Sequence, residues 1–180
     1  MIHYDIIPRT MVGDIVIAAT SEGLCAVLFG KKTGGALEKR LASMFAGEPI
    51  ARDKRRLAPY RREIDEYFRG KRERFTMPID LRAVRSPFQR RVLRKLFALP
   101  FGRVMTYGDL AARSGSPGAA RAVGTAMSKN PAALVIPCHR VVGASGSLGG
   151  YSGGLSKKKA LLLHEGVTPT KSGLLKAGAH

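Results

Sequence analysis

Cys138 stands at the end of an apolar run, between a proline and a histidine, in the stretch V-I-P-C-H-R-V-V that covers residues 135–142. A thiolate attacks carbon electrophiles well, but an unassisted thiol has a pKa near 8.5 and is only about one-tenth ionised close to neutrality. A nucleophile here therefore needs a base to take its proton and a carboxylate to hold that base. His139 is the adjacent imidazole, and the chain beyond residue 80 carries two carboxylates, Asp109 and Glu165. Asp109 is placed to cap a helix. That leaves Glu165, just after a helix predicted over Leu155–His164, as the group that orients the imidazole. Residues 134–136 predict a short strand that delivers Cys138 to a rim. Neighbouring strand residues point to opposite sides, so in this reading a bridging water links His139 to the sulfur. The pair by itself leaves open whether Cys138 is a nucleophile or a small packing residue.

The elements that must position these groups are written most clearly in T-Y-G-D-L-A-A-R-S-G-S-P-G-A-A-R-A-V-G-T-A-M-S-K-N-P, residues 106–131. Thr106 caps a short helix over 107–114 with Asp109 at its third position, and Gly115 suits a left-handed stop. Ser116-Pro117 restart a helix that runs to about Lys129, and Asn130-Pro131 end it. Two short helices joined by a tight turn in a basic context suggest a helix-turn-helix. The second helix has a small-residue surface, with Ala119, Ala120, Ala122, Gly124, Thr125 and Ala126, and Arg121 is the long side chain of its first turns. A major-groove reader presents several long polar residues to base edges. This surface instead permits close approach to a minor groove, from which one arginine can enter the base stack. Upstream, Ser86-Pro87-Phe88-Gln89 reads as a capping box. The helix it starts buries Phe88, Val92, Leu93, Leu96 and Phe97 and turns Arg90, Arg91, Arg94 and Lys95 to solvent. Lys157-Lys158-Lys159 reads as a solvated or phosphate-facing run.

The first half reads as a different layout. Residues 2–7, 14–19 and Leu24–Phe29 predict three strands of a small meander, with Cys25 a core residue of the third. Residues 36–45 and 57–68 predict amphipathic helices. The expected architecture is α/β in an α+β arrangement. A mixed α/β domain with an antiparallel sheet spans 1–80, and 81–85 link it to a mostly helical domain over 86–170. Residues 171–180 form a tail without an assigned role. Two cysteines are too few for a disulfide framework or a four-thiolate zinc site, and Cys25 with His3 does not make a metal centre. No metal or other cofactor is expected. No run reaches the roughly 18–20 apolar residues of a membrane span, and the acid-containing N-terminus does not read as a signal peptide. An intracellular, reducing compartment is expected.

Charge divides unevenly within a formal net of +18: residues 1–80 hold 15 Lys and Arg against 11 Asp and Glu, whereas residues 81–180 hold 16 against 2. So basic a segment points to a polyanionic partner, nucleic acid first, with an anionic membrane left open on charge alone.

P-C-H-R-V at 137–141, preceded by R-A-V-G-T-A-M and Asn130-Pro131 and followed by G-S-L-G-G-Y-S-G-G-L and L-L-L-H-E-G, resembles the O6-alkylguanine-DNA alkyltransferases, the methylated-DNA–protein-cysteine methyltransferases. The resemblance is dense from 86 to 166, and V-G-D-I-V-I-A-A-T-S-E-G-L extends it into the first half. It implies direct reversal of DNA damage. The protein would flip O6-alkylguanine, and O4-alkylthymine as well, out of double-stranded DNA bound through the minor groove, and transfer the alkyl group irreversibly to Cys138, once per molecule. It implies that His139 takes the thiol proton through water and that Glu165 orients the imidazole. Asn130 would brace the turn before the cysteine, and Tyr107 would donate to N3 of the flipped guanine. Arg121 would fill the vacated place in the stack, beside the close-approach surface of Ala119, Ala120 and Gly124. Backbone groups near Cys138 and Val141 would read the exocyclic amine, and Tyr151 and Ser152 would wall the pocket, with Lys158 supporting that loop. It also implies a monomer in the cytoplasm, associated with the nucleoid, or in the nucleus of a eukaryote.

This sequence departs from the family pattern at Leu93, where many members carry Trp, and at Ala133, where some carry Pro. Three rivals are weaker. A damage-flagging relative would lack the cysteine. A sequence-reading transcription factor would need longer side chains on the second helix, and a Cys-His hydrolase would need an oxyanion motif.

Overall fold

The computed structural model describes residues 1–30, 35–45 and 47–168, with the side chains of 35–38 outside the description, and it divides into two compact units, Met1–Ala83 and Val84–His180. The expected tail at 171–180 lies outside the described residues.

In the first unit, β1 (Ile2–Thr10), β2 (Gly13–Ala19) and β3 (Leu24–Phe29) form the antiparallel meander, and β4 (Ile50–Arg52) joins the outer edge of β1 in parallel, giving the order β3-β2-β1-β4. The sequence reading missed β4, a strand of three residues with no alternation to betray it. From Ile15 to Ala19, β2 is buried throughout because it is covered on both faces. One face packs Ile2, Val16, Ala18, Cys25, Ala26 and Leu28 with Leu41 of α1 (Gly35–Met44). On the other, α2 (Lys54–Phe68) buries Leu57, Ile64 and Tyr67, and its Arg61 pairs with the buried Asp5 of β1 at 3.2 Å. Asp53 caps α2 by accepting from the Arg56 amide at 3.0 Å. The stretch around Pro78 belongs to this unit. The Leu24 amide donates to Pro78 O at 2.8 Å, and a Cβ on Gly23 would lie 2.5 Å from that oxygen. Only glycine fits there.

The second unit runs through α3 (Pro87–Phe97), β5 (Met105–Thr106), α4 (Tyr107–Arg113), α5 (Ala120–Ser128), a single 3-10 turn at Cys138–Arg140, β6 (Val141–Val142) and α6 (Leu155–His164). Two local expectations are corrected. The capping box before α3 is half formed: Ser86 accepts from the Gln89 amide at 3.2 Å, but the Gln89 side chain bonds Ala126 O and Lys129 O, both at 3.1 Å. It closes the C-terminal end of α5 instead of its own helix. The second helix of the pair starts at Ala120, not at Ser116-Pro117, because Gly118 sits at φ +84°, outside helical geometry. Ala119 is its N-cap and offers no side-chain cap. The box at α4 forms fully, with the Thr106 amide donating to Asp109 Oδ2 at 3.2 Å and the Asp109 amide to Thr106 Oγ1 at 3.1 Å. The α4–α5 pair packs as a helix-turn-helix against α3.

Candidate active site

Residues 134–136 are not a strand. Leu134 takes φ +85°, the Ile136 amide turns back to Ala132 O at 2.8 Å, and one isolated bridge joins Ala133 to Ile136. Asn130 explains the fold-back. Its Nδ2 donates to Ile136 O at 2.9 Å and its Oδ1 accepts from the Ala132 amide at 3.1 Å, so one side chain satisfies the peptide groups that a partner strand would otherwise have taken. The chain then enters the 3-10 turn, which β6 follows by pairing in parallel with β5. Cys138 is therefore not at a rim. It is 3% exposed, at the floor of a cleft of about 800 Å³.

Thr106, Tyr107 and Gly108 from the start of α4, and Ala120, Arg121, Gly124, Met127 and Ser128 from α5, line that cleft together with Ala144, Gly150, Tyr151 and Ser152. Gly149 lies beside Tyr107, and a Cβ there would come 3.1 Å from the tyrosine oxygen. Of the site residues expected from the sequence, Tyr107, Ala120, Arg121, Gly124, Cys138, Tyr151 and Ser152 are brought together around one opening. Ala119 and Val141 do not line it.

His139, Glu165, Asn130 and Lys158 stand behind Cys138. His139 and Glu165 are buried, and His139 Nε2 lies 2.8 Å from Glu165 Oε1. Arg140 grips the same carboxylate with a fork, Nε to Oε2 and Nη2 to Oε1, both at 2.8 Å, while its Nη1 donates to Leu99 O. The Gly102 amide adds a donor to Oε2 at 3.3 Å. Sequence reasoning gave Arg140 no role. A signal was present: an arginine inside an apolar run, in a half with one uncommitted carboxylate. Burial alone would raise the carboxyl pKa of Glu165, but bonds and charge from His139 and Arg140 outweigh it and hold the value at about 2.

Burial pushes His139 below its ordinary value, against the pull of Glu165, so the resting imidazole is neutral. With a carboxylate on Nε2, the proton sits there and Nδ1 is the basic nitrogen. Nδ1 is buried and has no hydrogen-bond partner among the described residues. Burial likewise raises the Cys138 thiol, with an Asn130 hydrogen bond and the Lys158 charge opposing it. Lys158 corrects the reading of its run as solvated. It is 0% exposed and its Nζ donates to Val141 O at 2.6 Å and to Leu148 O, tying β6 to the loop that carries Tyr151. Burial lowers its pKa to about 8. Among the described residues no group of His, Cys, Asp and Glu could hold a metal ion, and no helix is long and apolar enough to cross a membrane.

Comparison with known proteins identifies the family. Residues 2–81 match the family described as 6-O-methylguanine DNA methyltransferase, ribonuclease-like domain, and residues 87–167 match 6-O-methylguanine DNA methyltransferase, DNA binding domain. A methylated-DNA–protein-cysteine methyltransferase of Mycolicibacterium paratuberculosis is 52% identical over 103 residues, 57% of this chain, and the chain spans 61% of that relative's length. The inducible methylated-DNA–protein-cysteine methyltransferase of Bacillus subtilis is 39% identical over 81% of this chain and 80% of its own. A Mycobacterium tuberculosis OGT solved in complex with DNA superposes with a TM-score of 0.77 at 35% identity, over 91% of this chain and 92% of that one.

Proposed function

The chain belongs to the 6-O-methylguanine DNA methyltransferase family, and from that premise we propose that it repairs double-stranded DNA by moving an alkyl group from O6 of guanine onto Cys138. The observation that carries this reading is the cleft: one buried thiol at its floor, a hydrogen-bonded chain of His139, Glu165 and Arg140 behind it, and a small-surfaced helix bearing Arg121 at its mouth.

An alkyl group on O6 is shielded inside the duplex, so the nucleotide leaves the stack first, at a cost of a few kcal/mol that is smallest for a poorly paired lesion. The α5 surface enters the minor groove and Arg121 takes the vacated place. The thiol proton passes through a bridging water to His139 Nδ1, whose positive charge the Glu165 anion stabilises. Cys138 Sγ attacks the alkyl carbon as the carbon–O6 bond breaks, and the electron pair leaves with guanine. Tyr107 donates its phenolic proton to N3 of the departing guanine anion, and the proton held on His139 returns through water to the Tyr107 phenolate, so that the sum is one S–H and one C–O bond exchanged for one S–C bond and one N–H bond of neutral guanine. A thioether has no leaving group for water to displace, so each molecule acts once. O4-alkylthymine, of similar shape, is a second substrate in this reading. The protein acts as a monomer wherever the cell keeps its DNA, the nucleoid in a bacterium.

Mixing the protein with a duplex carrying one O6-methylguanine is expected to add a single methyl, saturating at one per molecule, that intact mass and peptide mapping place on Cys138. Lesion binding with no added mass would favour the damage-flagging reading. Arg121→Ala separates the steps. Transfer from duplex is expected to slow by about tenfold to a hundredfold, the equivalent of 1.4–2.8 kcal/mol, while reaction with free O6-alkylguanine stays within twofold. Equal losses on both substrates would place Arg121 in the chemistry.

A further inference from the structure

The basic face of α3 takes no part in the cleft. Arg91, Arg94 and Lys95 are exposed, as is Arg85 just ahead of the helix, while Val92, Leu93 and Leu96 are buried. At roughly 100° per residue, positions 91, 94 and 95 form one stripe about 100° wide. Gln89, whose amide is bonded to the carbonyls that end α5, lies roughly 120–160° from that stripe around the axis. The stripe therefore faces away from α5. On α5 itself, exposed Arg121, Ala122, Thr125 and Ser128 lie opposite buried Val123, Ala126 and Met127. The two exposed faces look outward from opposite sides of the α3–α5 contact, so a duplex seated on α5 leaves the α3 stripe uncovered.

Nor does the unit neutralise the stripe from within. Its two carboxylates among the described residues are Asp109, committed to the cap of α4, and Glu165, held by His139 and Arg140. None of the described ion pairs engages Arg85, Arg91, Arg94 or Lys95. Arg91 is held over the Phe88 ring, 5.9 Å from its centroid, which keeps the guanidinium laid along the surface. Arginines grip phosphate oxygens in pairs. Arg91 to Lys95 rises about 6 Å, the axial length in which each DNA strand presents about two phosphates.

We propose that this stripe is a second nucleic-acid face, which takes the phosphodiester backbone of another duplex segment while α5 engages the first, so that one molecule bridges two segments. The proposal rests on the reading of α5 as a DNA-contacting helix. Bridging would keep a single-use protein near DNA after each failed inspection, since release from one segment leaves it attached to another.

The test uses two short duplexes with different fluorophores, one carrying O6-methylguanine, and reads protein-dependent energy transfer between them. R91A/R94A/K95A is expected to reduce bridging at least tenfold and to lower the slope of log affinity against log salt by about 2–3. Methyl transfer to Cys138 from a single short duplex should stay within twofold, and R91K/R94K should retain bridging. Absence of energy transfer with the unaltered protein, or equal transfer with the triple variant, would overturn the proposal. So would phosphatidylserine vesicles that displace DNA from the stripe. Bridging that depends on the stripe while Cys138 gains no methyl supports this proposal and refutes the alkyl-transfer reading, so the two failures are distinct.

Discussion

Cys138→Ala is expected to eliminate methyl transfer from an O6-methylguanine duplex while leaving lesion binding within about twofold. The reason is that the chain offers no substitute acceptor. Its other cysteine, Cys25, lies in β3 at 1% exposure, and burial pushes its thiol up to about 12. An alkylated base cannot reach it without opening the sheet. The alanine itself removes one sulfur from a site walled by Asn130 and the 3-10 turn, a change of about 1 kcal/mol in stability. Loss of activity would therefore report chemistry and not unfolding. Binding should survive because Arg121, Gly124 and Tyr107 sit on helices whose caps and packing do not involve the thiol. Filter binding and intact mass on the same sample check both halves. Methyl found on the variant would identify a different nucleophile.

Glu165→Gln should cost both activity and stability. The amide keeps the shape of the carboxylate but not its charge, leaving Arg140 as a buried cation without an anion. Breaking a buried pair from one side costs about 3–5 kcal/mol. The imidazolium formed during proton transfer loses its counter-charge as well, so transfer should fall by about a hundredfold or more. The same residue sets an acid limit. Its pKa is lowered from 4.5 unfolded to about 2 folded, so the stability it contributes, about 3 kcal/mol, is fully present above roughly pH 5. That contribution is lost as pH falls from there through about 2, because the unfolded state takes up the proton first. Urea unfolding at pH 7, 5, 4 and 3 is expected to show a steeper acid decline for the unaltered protein than for Glu165→Gln. Parallel declines would show that Glu165 is not held as the structure has it.

How much of this was legible beforehand depends on the distance over which each feature is decided. The capped start of α4, the stop at Gly115, the buried stripe of α3 at Val92, Leu93 and Leu96 and the three-strand meander all follow from neighbours within a few residues, and the structure has them, whereas Phe88 and Phe97, expected in that stripe, and Arg90, expected in solvent, are half-buried. The cap at Ser86 was half right for the same reason: the serine acts on its own helix, but Gln89 prefers carbonyls 37 and 40 residues away. Where a side chain replaces a partner strand, local pattern misleads. Residues 134–136 are apolar enough for a strand, yet Asn130 folds them into a loop and sends Cys138 to a cleft floor.

The chemistry divides along the same line. Composition and order alone determined that this chain holds a cysteine beside a histidine, a basic half nearly free of acids, and a small-residue stretch around a single arginine at 119–126. Cys138, His139 and Glu165 could be nominated because so few residues of the right type were available. The tertiary structure decided which of them touch. It placed Arg140 on Glu165 across 25 residues, fixed the imidazole tautomer through that carboxylate, and buried Lys158 between two carbonyls while Lys157 stayed half-buried and Lys159 exposed. No periodicity encodes those pairings. They arise because a charge shut away from water must find its partner wherever the fold has left one.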